Sequence, residues 1–508
     1  MIKLNGDLLK NNTEISDKIK IGVTKDLPIK VLQFGEGNFL RGFVDWMFNK
    51  LNENDLFNGK IVIAQPLETG LVDVLNQQDG LYTLLLRGLK DGKIVSEKEI
   101  ITSVDHGLNI YKEYDEYIKL AENPELRVIV SNTTEAGIAY KKDDKLSDSP
   151  QSSFPGKLTA LLYKRFTYFK GDESKGFILL PCELIDRNGD KLKNIVLQYA
   201  NDWNLGDEFV NWLNNSNYFL NTLVDRIVTG YPKDEIDILT AGLGYQDNLI
   251  DTGEIFHLWV IEGDIKISKE LPFHKIGINV VWTNDMTPYR ARKVSVLNGA
   301  HTMTVLAAYL FGLDTVKECI DNKLISDYMK KGLFEEIIPT LEFPKNEVID
   351  FANSVIERFA NPFIKHNLLS ISLNSVSKFK TRVLPSLLEY VKINEKIPEV
   401  LSFSLASLIA FYKSTTLEEN KLKGVRNKNT YNIIDDISIL KYFKNIWSEY
   451  DESKNSVKHI VTNILSQKDF WDKDLNNIEK LNENVTNYLF SILTKGMEDS
   501  IVELLTEK

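Results

Sequence analysis

Cysteine is nearly absent from this chain: Cys182 and Cys319 are the only two in 508 residues. Far apart in sequence, they offer neither a disulfide framework nor a CxxC metal site, and the usage fits a reducing, cytoplasmic compartment. The six histidines, at 106, 257, 274, 301, 366 and 459, include no HExxH pair and no zinc-knuckle spacing, so no metal is expected unless long-range folding assembles a site. The amino-terminal stretch MIKLNGDLLKNNTE lacks the continuous apolar segment of a secretory signal, and no run approaches the roughly 18 apolar residues that cross a bilayer. A membrane is therefore not an expected partner. Basic blocks are missing as well. The formal charge is −11, from 61 Lys and Arg against 72 Asp and Glu, with the acids spread along the chain. Such a balance argues against nucleic acid as a partner. Repeats and low-complexity tracts are also lacking.

What the chain does have is apolar material. Hydrophobic residues make up 43% and charged residues 26%, enough for a large core and, at this length, for two domains. The first half alternates compact apolar runs at 30–34, 60–64, 127–131 and 176–180 with amphipathic segments such as 39–51 and 192–203. Strand and helix in alternation predict an α/β, Rossmann-type doubly wound sheet. A hairpin over 81–86 and 93–100, turning at Asp91-Gly92, interrupts the rhythm. From Tyr289 onward apolar residues recur at helical spacing, with helices predicted over 294–311, 346–359, 376–391, 400–412 and in 471–508. The expected division is a dinucleotide-binding domain over 1–285 and a mainly α-helical substrate and catalytic domain over 286–508.

One segment of the first half is distinctive. Val31-Leu32-Gln33-Phe34-Gly35-Glu36-Gly37-Asn38-Phe39-Leu40-Arg41-Gly42 is an apolar strand that enters GxG and then a helical pattern. Glycines in that place let the backbone approach a pyrophosphate, and the helix start offers unpaired N–H groups. The pattern is incomplete, because the third glycine of GxGxxG falls at Leu40 and Gly42 comes two residues late. An ordinary strand-to-helix turn reads the same way, but the position on the first strand of a βαβ pattern favours a dinucleotide. After the second strand the sequence runs Ala64-Gln65-Pro66-Leu67-Glu68, with no basic residue before Arg87 to accept the extra phosphate of NADP. NAD is the expected cofactor.

The second half sets Lys293, Asn298 and His301 into an otherwise apolar helix. At about 100° per residue they fall within an arc of roughly 140° and can face one cavity. A lysine in apolar surroundings is costly when charged, so its pKa falls toward neutrality and it becomes a base for a hydroxyl proton. Asn298 can donate to a substrate oxygen and His301 can orient that oxygen or its neighbour. Taken singly, such a lysine usually snorkels and such a histidine is usually a satisfied core residue; three together on one face point to chemistry.

Lys293, Asn298 and His301 in this spacing resemble the signature of the polyol-specific long-chain dehydrogenases, the mannitol dehydrogenase family, and the resemblance covers nearly the whole chain. Within that family the glycine-turn segment, continuing to Trp46, is similar to the tagaturonate reductases, also called altronate oxidoreductases. Val130-Ser131-Asn132-Thr133-Thr134-Glu135-Ala136-Gly137, Leu180-Pro181-Cys182-Glu183-Leu184-Ile185 and Val224-Asp225-Arg226-Ile227 look like further family blocks. The resemblance implies zinc-independent hydride transfer between nicotinamide C4 and a secondary carbinol carbon. Lys293 is then the acid/base, Asn298 polarises the carbonyl, and His301 fixes substrate hydroxyls. Asp225 is an acid near the site, and Thr133, Thr134 and Glu135 form a loop beside the cofactor. Leu184 and a residue near Ser370 replace an asparagine and an arginine of mannitol dehydrogenases, which counts against mannitol as substrate.

A hexuronate carries a carboxylate, so a local basic group must overcome the net acidic charge. The candidates are His366, in the segment Asn361-Pro362-Phe363-Ile364-Lys365-His366, and Lys378 and Arg382, which share a helix face at i, i+4. The implied activity is NAD-dependent interconversion of D-tagaturonate and D-altronate, the partner being a small sugar acid. The alternatives are fructuronate reductase, a mannitol 2-dehydrogenase-like enzyme, or, in another class, a non-catalytic nucleotide sensor.

Overall fold

The computed structural model describes residues 2–11, 15 and 19–506. These fall into two compact units, Met1–Met286 and Thr287–Lys508.

The first unit is built on six parallel strands: β1 (Ile29–Phe34), β2 (Lys60–Gln65), β3 (Val104–Asn109), β4 (Val128–Ser131), β5 (Ile178–Pro181) and β6 (Tyr218–Phe219). Their order across the sheet is 3-2-1-4-5-6, the doubly wound arrangement in which two mononucleotide-binding halves meet beside β1. Alternate side chains enter different cores. Val31, Ile61, Val128 and Ile178 pack on one face, and Leu32, Phe34, Ile129 and Leu179 on the other. Burial on both faces explains why these strands read as continuous apolar runs.

The expected hairpin, Tyr82–Lys90 with Lys93–Ile101, belongs to a separate four-stranded sheet. Asp91 and Gly92 both take positive φ, 52° and 71°, as a two-residue turn of matching twist requires. A third sheet joins Asn221–Asp225, Leu258–Glu262 and Val280–Thr283.

The second unit is mainly helical, with three departures from expectation. The helix expected over 376–391 is two helices, Ser375–Arg382 and Leu384–Asn394. Pro385 lacks the N–H that would continue the ladder, so the chain breaks just before it. Lys421–Arg426 and Asn429–Ile433 form an unanticipated hairpin, turning at Asn427 and Lys428. The third correction concerns length: the helix Thr287–Phe311 has 25 residues and is apolar enough to cross a membrane by composition. It is a core helix, with 72% of its most apolar window buried.

Behind β1 the first unit buries charge. Arg41, Asp45 and Asp251 are almost fully enclosed, and Tyr82 donates its hydroxyl to Asp45 at 3.1 Å. Burial pushes the carboxyls of Asp45 and Asp251 up to about 7, against the opposing pull of the Arg41 charge. Such acids disfavour folding when ionised. The cost is full above pH 7 and is relieved as pH falls toward the ordinary carboxylate range near 4, by at most about 1.4 kcal/mol per pH unit for each proton. Asp45→Asn keeps an acceptor for Tyr82 and removes one titration. Its urea midpoint should exceed the wild-type value at pH 8, with the gap closing by pH 5; parallel curves across that range would contradict this assignment.

Candidate active site

In the first unit the strand-to-helix turn follows β1 directly. Gly35 has φ +118°, and a Cβ there would stand 3.1 Å from the Asn132 carbonyl, so no other residue fits without strain. Gly37 is the reverse case: a Cβ would meet nothing, leaving its face open to a ligand. The helix then starts at Asn38 with no side-chain cap on its first N–H groups, the arrangement that holds a phosphate. Gly42 takes the close-packing role of the missing third glycine, since a Cβ there would touch Val228 at 3.0 Å and Asp251 at 3.2 Å. A cavity of about 400 Å³ opens over the turn, bounded by Gly35, Gly37, Leu67, Thr133 and Thr134.

The remaining residues of that segment support the turn from behind. Val31, Leu32, Gln33 and Phe34 are fully buried within the sheet and its cores. Gln33 donates to the Gly35 carbonyl at 3.1 Å. Leu40 is buried, and Phe39 stacks on Phe43 at 5.0 Å. Arg41 faces inward, donating to the carbonyls of Glu36 and Leu249 and to the Asn38 side chain. Glu36 borders the cavity, its carboxyl raised by burial.

Opposite the turn, Thr133 is held by a residue of the Leu180–Ile185 block to which the sequence assigned no role. Glu183 accepts from the Thr133 amide at 2.9 Å and hydroxyl at 3.0 Å, and from Ser131 at 3.1 Å. Burial raises its carboxyl, opposed by those hydrogen bonds. Thr134 has φ 74°, and both it and Glu135 are exposed. Asp225 is buried at the end of its strand, and the next residue, Arg226, reaches back to the Gly42 carbonyl at 2.7 Å. Arg87, the first basic residue after β2, pairs with Glu235 at 2.6 Å.

In the second unit the helix Thr287–Phe311 changes pitch. Lys293–Asn298 is a π-helical turn, closed by the Gly299 amide donating to the carbonyl of Val294, five residues back. In i→i+5 bonding, residues five apart lie one turn above each other. Lys293 and Asn298 are thereby stacked on one side, more tightly than uniform α-helical spacing predicts. Both are half-buried, while His301 is 9% exposed. Its ring stacks on Phe359 at 4.1 Å and meets His366 edge-on at 5.2 Å, and its Nε2 has no hydrogen-bond partner among the described residues.

Around His301 stand cations. Burial first, then the charges of His366, Arg358, Arg382 and Lys378, hold its pKa well below 6.5, so the ring is neutral. His366 and Lys378 are lowered mainly by burial, and Arg382 by burial alone. Lys378 donates to the Ile371 carbonyl at 2.7 Å and feels Asp435, whose carboxylate is held by Tyr412. Arg382 has no carboxylate within ion-pair distance among the described residues. Gly299 lets its helix come close, since a Cβ there would meet the Arg382 carbonyl at 3.2 Å. Arg358, 7% exposed at the end of the helix Lys345–Phe359, escaped the sequence reading. Its one signal is a cation beside Phe359. Leu184 and Ser370 are exposed.

The family model of the mannitol dehydrogenase Rossmann domain matches residues 29–275, and that of the mannitol dehydrogenase C-terminal domain matches residues 285–493. The chain belongs to the mannitol dehydrogenase family. Altronate oxidoreductases of Escherichia coli (strain UTI89 / UPEC) and Shigella flexneri are each 47% identical over 475 residues, 93% of this chain and 96% of theirs. Among solved structures, Pseudomonas fluorescens mannitol 2-dehydrogenase in ternary complex with NAD and D-mannitol aligns over 100% of both chains, with TM-score 0.68 and 20% identity. Substrate-free D-sorbitol dehydrogenase aligns over 99% of this chain and 100% of its own, with TM-score 0.79 and 21% identity. These two structures share the fold of this family member.

The structure thus brings His301, His366, Arg358, Lys378 and Arg382 together in the second unit, with Lys293 and Asn298 on the helix that carries His301, and the glycine turn with the Thr133 loop in the first. Gly35→Ala forces a side chain into left-handed backbone, a strain of order 1–3 kcal/mol. It should weaken NADH binding, followed by fluorescence titration, by roughly 10-fold or more without altering the far-ultraviolet spectrum. Unchanged affinity would remove the turn from the binding surface.

Proposed function

We propose that this protein is an NAD-dependent oxidoreductase that interconverts D-tagaturonate and D-altronate in the cytoplasm. The observation that carries the substrate is Arg382: half-buried, without an ion pair among the described residues, one turn from Lys378 and acting on His301 together with Arg358. Cations gathered inside a chain of net charge −11 suit a substrate carboxylate. The near full-length identity to altronate oxidoreductases supports the same reading.

The first unit fits the dinucleotide: Gly35 and Gly37 admit the pyrophosphate, the helix start at Asn38 offers it N–H groups, and Thr133 and Thr134 border it. The residues directly after β2, Pro66 to Glu68, supply no cation for a 2′-phosphate, and Arg87 pairs with Glu235, which favours NAD. NADH, when bound, supplies the hydride for the ketone carbon. Asn298 donates to the ketone oxygen, and protonated Lys293, one π turn away, gives that oxygen its proton. In the reverse direction Lys293 takes the hydroxyl proton. Neutral His301 donates or accepts at a neighbouring hydroxyl, a role its protonation would spoil. Arg382 and Lys378 hold the carboxylate and fix which end of the sugar acid enters.

Lys293→Ala, folded and still binding NADH, should lower kcat for tagaturonate by about 10²–10⁴-fold, the usual contribution of a positioned proton donor. A wild-type rate would dismiss the acid/base assignment. Arg382→Gln should raise KM for tagaturonate by roughly 10- to 100-fold, as loss of a charged hydrogen bond predicts, while the Kd for NADH stays constant. An unchanged KM would free Arg382 from the substrate.

A further inference from the structure

The second unit contains a larger cavity, about 730 Å³, at the other end of the helix Thr287–Phe311. Its wall includes Leu310, nine residues or about 14 Å of helix axis beyond His301. The volume lies within the range of small-molecule sites. Three cations and no acid line it. Two of those cations are engaged: Arg426 pairs with Asp314 at 2.7 Å and lies over the Tyr309 ring, and Lys423 binds Asn432 at 2.8 Å. Lys413 makes no ion pair among the described residues, and its Nζ sits 4.6 Å from the Tyr450 ring centre and 5.9 Å from that of Trp447.

Trp447 adds an independent observation. It is 3% exposed, and its Nε1 has no acceptor among the described residues. A buried N–H left unmade costs about 1–3 kcal/mol, so an acceptor belongs beside it. Hydroxyls of Thr415 and Ser448 border the same space, with Leu310 and Met497 on the apolar side. The wall thus combines a cation, an orphan donor, hydroxyls and ring faces. Its complement carries a negative charge, acceptor oxygens, hydroxyls and a C–H face able to rest on a ring.

We infer that this cavity is a second ligand site, separate from the dehydrogenase centre, that takes a polyhydroxylated anion, a sugar acid or a sugar phosphate. Lys413 meets the anionic group, Trp447 Nε1 donates to an oxygen, Thr415 exchanges hydrogen bonds with a hydroxyl, and Ser448, whose own proton goes to the Asn445 carbonyl at 2.6 Å, accepts from one.

Isothermal titration of the full chain with D-glucuronate and, separately, D-glucose 6-phosphate tests this. At least one probe should show a binding event that weakens by 10-fold or more in both Lys413→Gln and Trp447→Phe but persists in Arg382→Gln. Response to glucuronate alone assigns a carboxylate ligand, and response to glucose 6-phosphate alone a phosphate. Trp447→Phe removes only the N–H side of the ring system, and a wild-type melting curve and turnover show that the fold is intact. Isotherms identical in wild type and both variants, or no binding of either probe at millimolar concentration, overturn the site.

Discussion

The chemistry of the second unit turns on holding positive charge where water is scarce. Arg358, Lys378 and Arg382 all act on His301, and each is partly or wholly withdrawn from solvent. Like charges so gathered repel one another and lose hydration, a cost that packing alone does not offset. The fold keeps them together by covalent and steric means. Gly299 permits the Ser375–Arg382 helix to touch the long helix, Pro385 ends that helix just past Arg382, and the Phe359 ring clamps His301. On the proposed reading, a substrate carboxylate entering this group offsets part of that cost.

The π-helical turn answers a related problem. In the proposed mechanism an acid/base and an oxygen-polarising amide address the same oxygen, but a regular α-helix sets residues five apart well to either side of each other. Widening one turn at Lys293–Asn298 stacks them. A second π turn, Arg41–Asp45, follows the glycine turn of the first unit and brings Gly42 against Asp251 and Val228. Both departures sit beside residues assigned to function, whereas a third π turn, Gly332–Ile337, packs against Met303 and Val400 in the core.

Much of this was legible in the sequence. Parallel strands buried on both faces announce themselves as short apolar runs, and Val31 to Phe34 followed by Gly35 and Gly37 locates the turn. The trio Lys293, Asn298 and His301 stood out because polar groups interrupt an apolar helix. What was hidden depends on backbone detail or on distant partners. No residue type marks a one-residue π insertion. Arg358 sits at the end of an amphipathic helix, where a cation normally faces water. Glu183 acquires its role only when β4 and β5 lie side by side and bring it to Thr133. The side chains of Val31 to Phe34 belong to the cofactor motif, and the sheet buries them. Pro385 was in plain view and marks the helix break.

The central claim is that a substrate carboxylate, rather than a sugar hydroxyl, is what the cations around His301 recognise. Initial rates of NADH oxidation by the wild-type protein on tagaturonate, fructuronate and fructose test it most directly. The account predicts the highest kcat/KM on tagaturonate and at least ~100-fold less on fructose, which brings no carboxylate to the cations. A preference for fructose would contradict it.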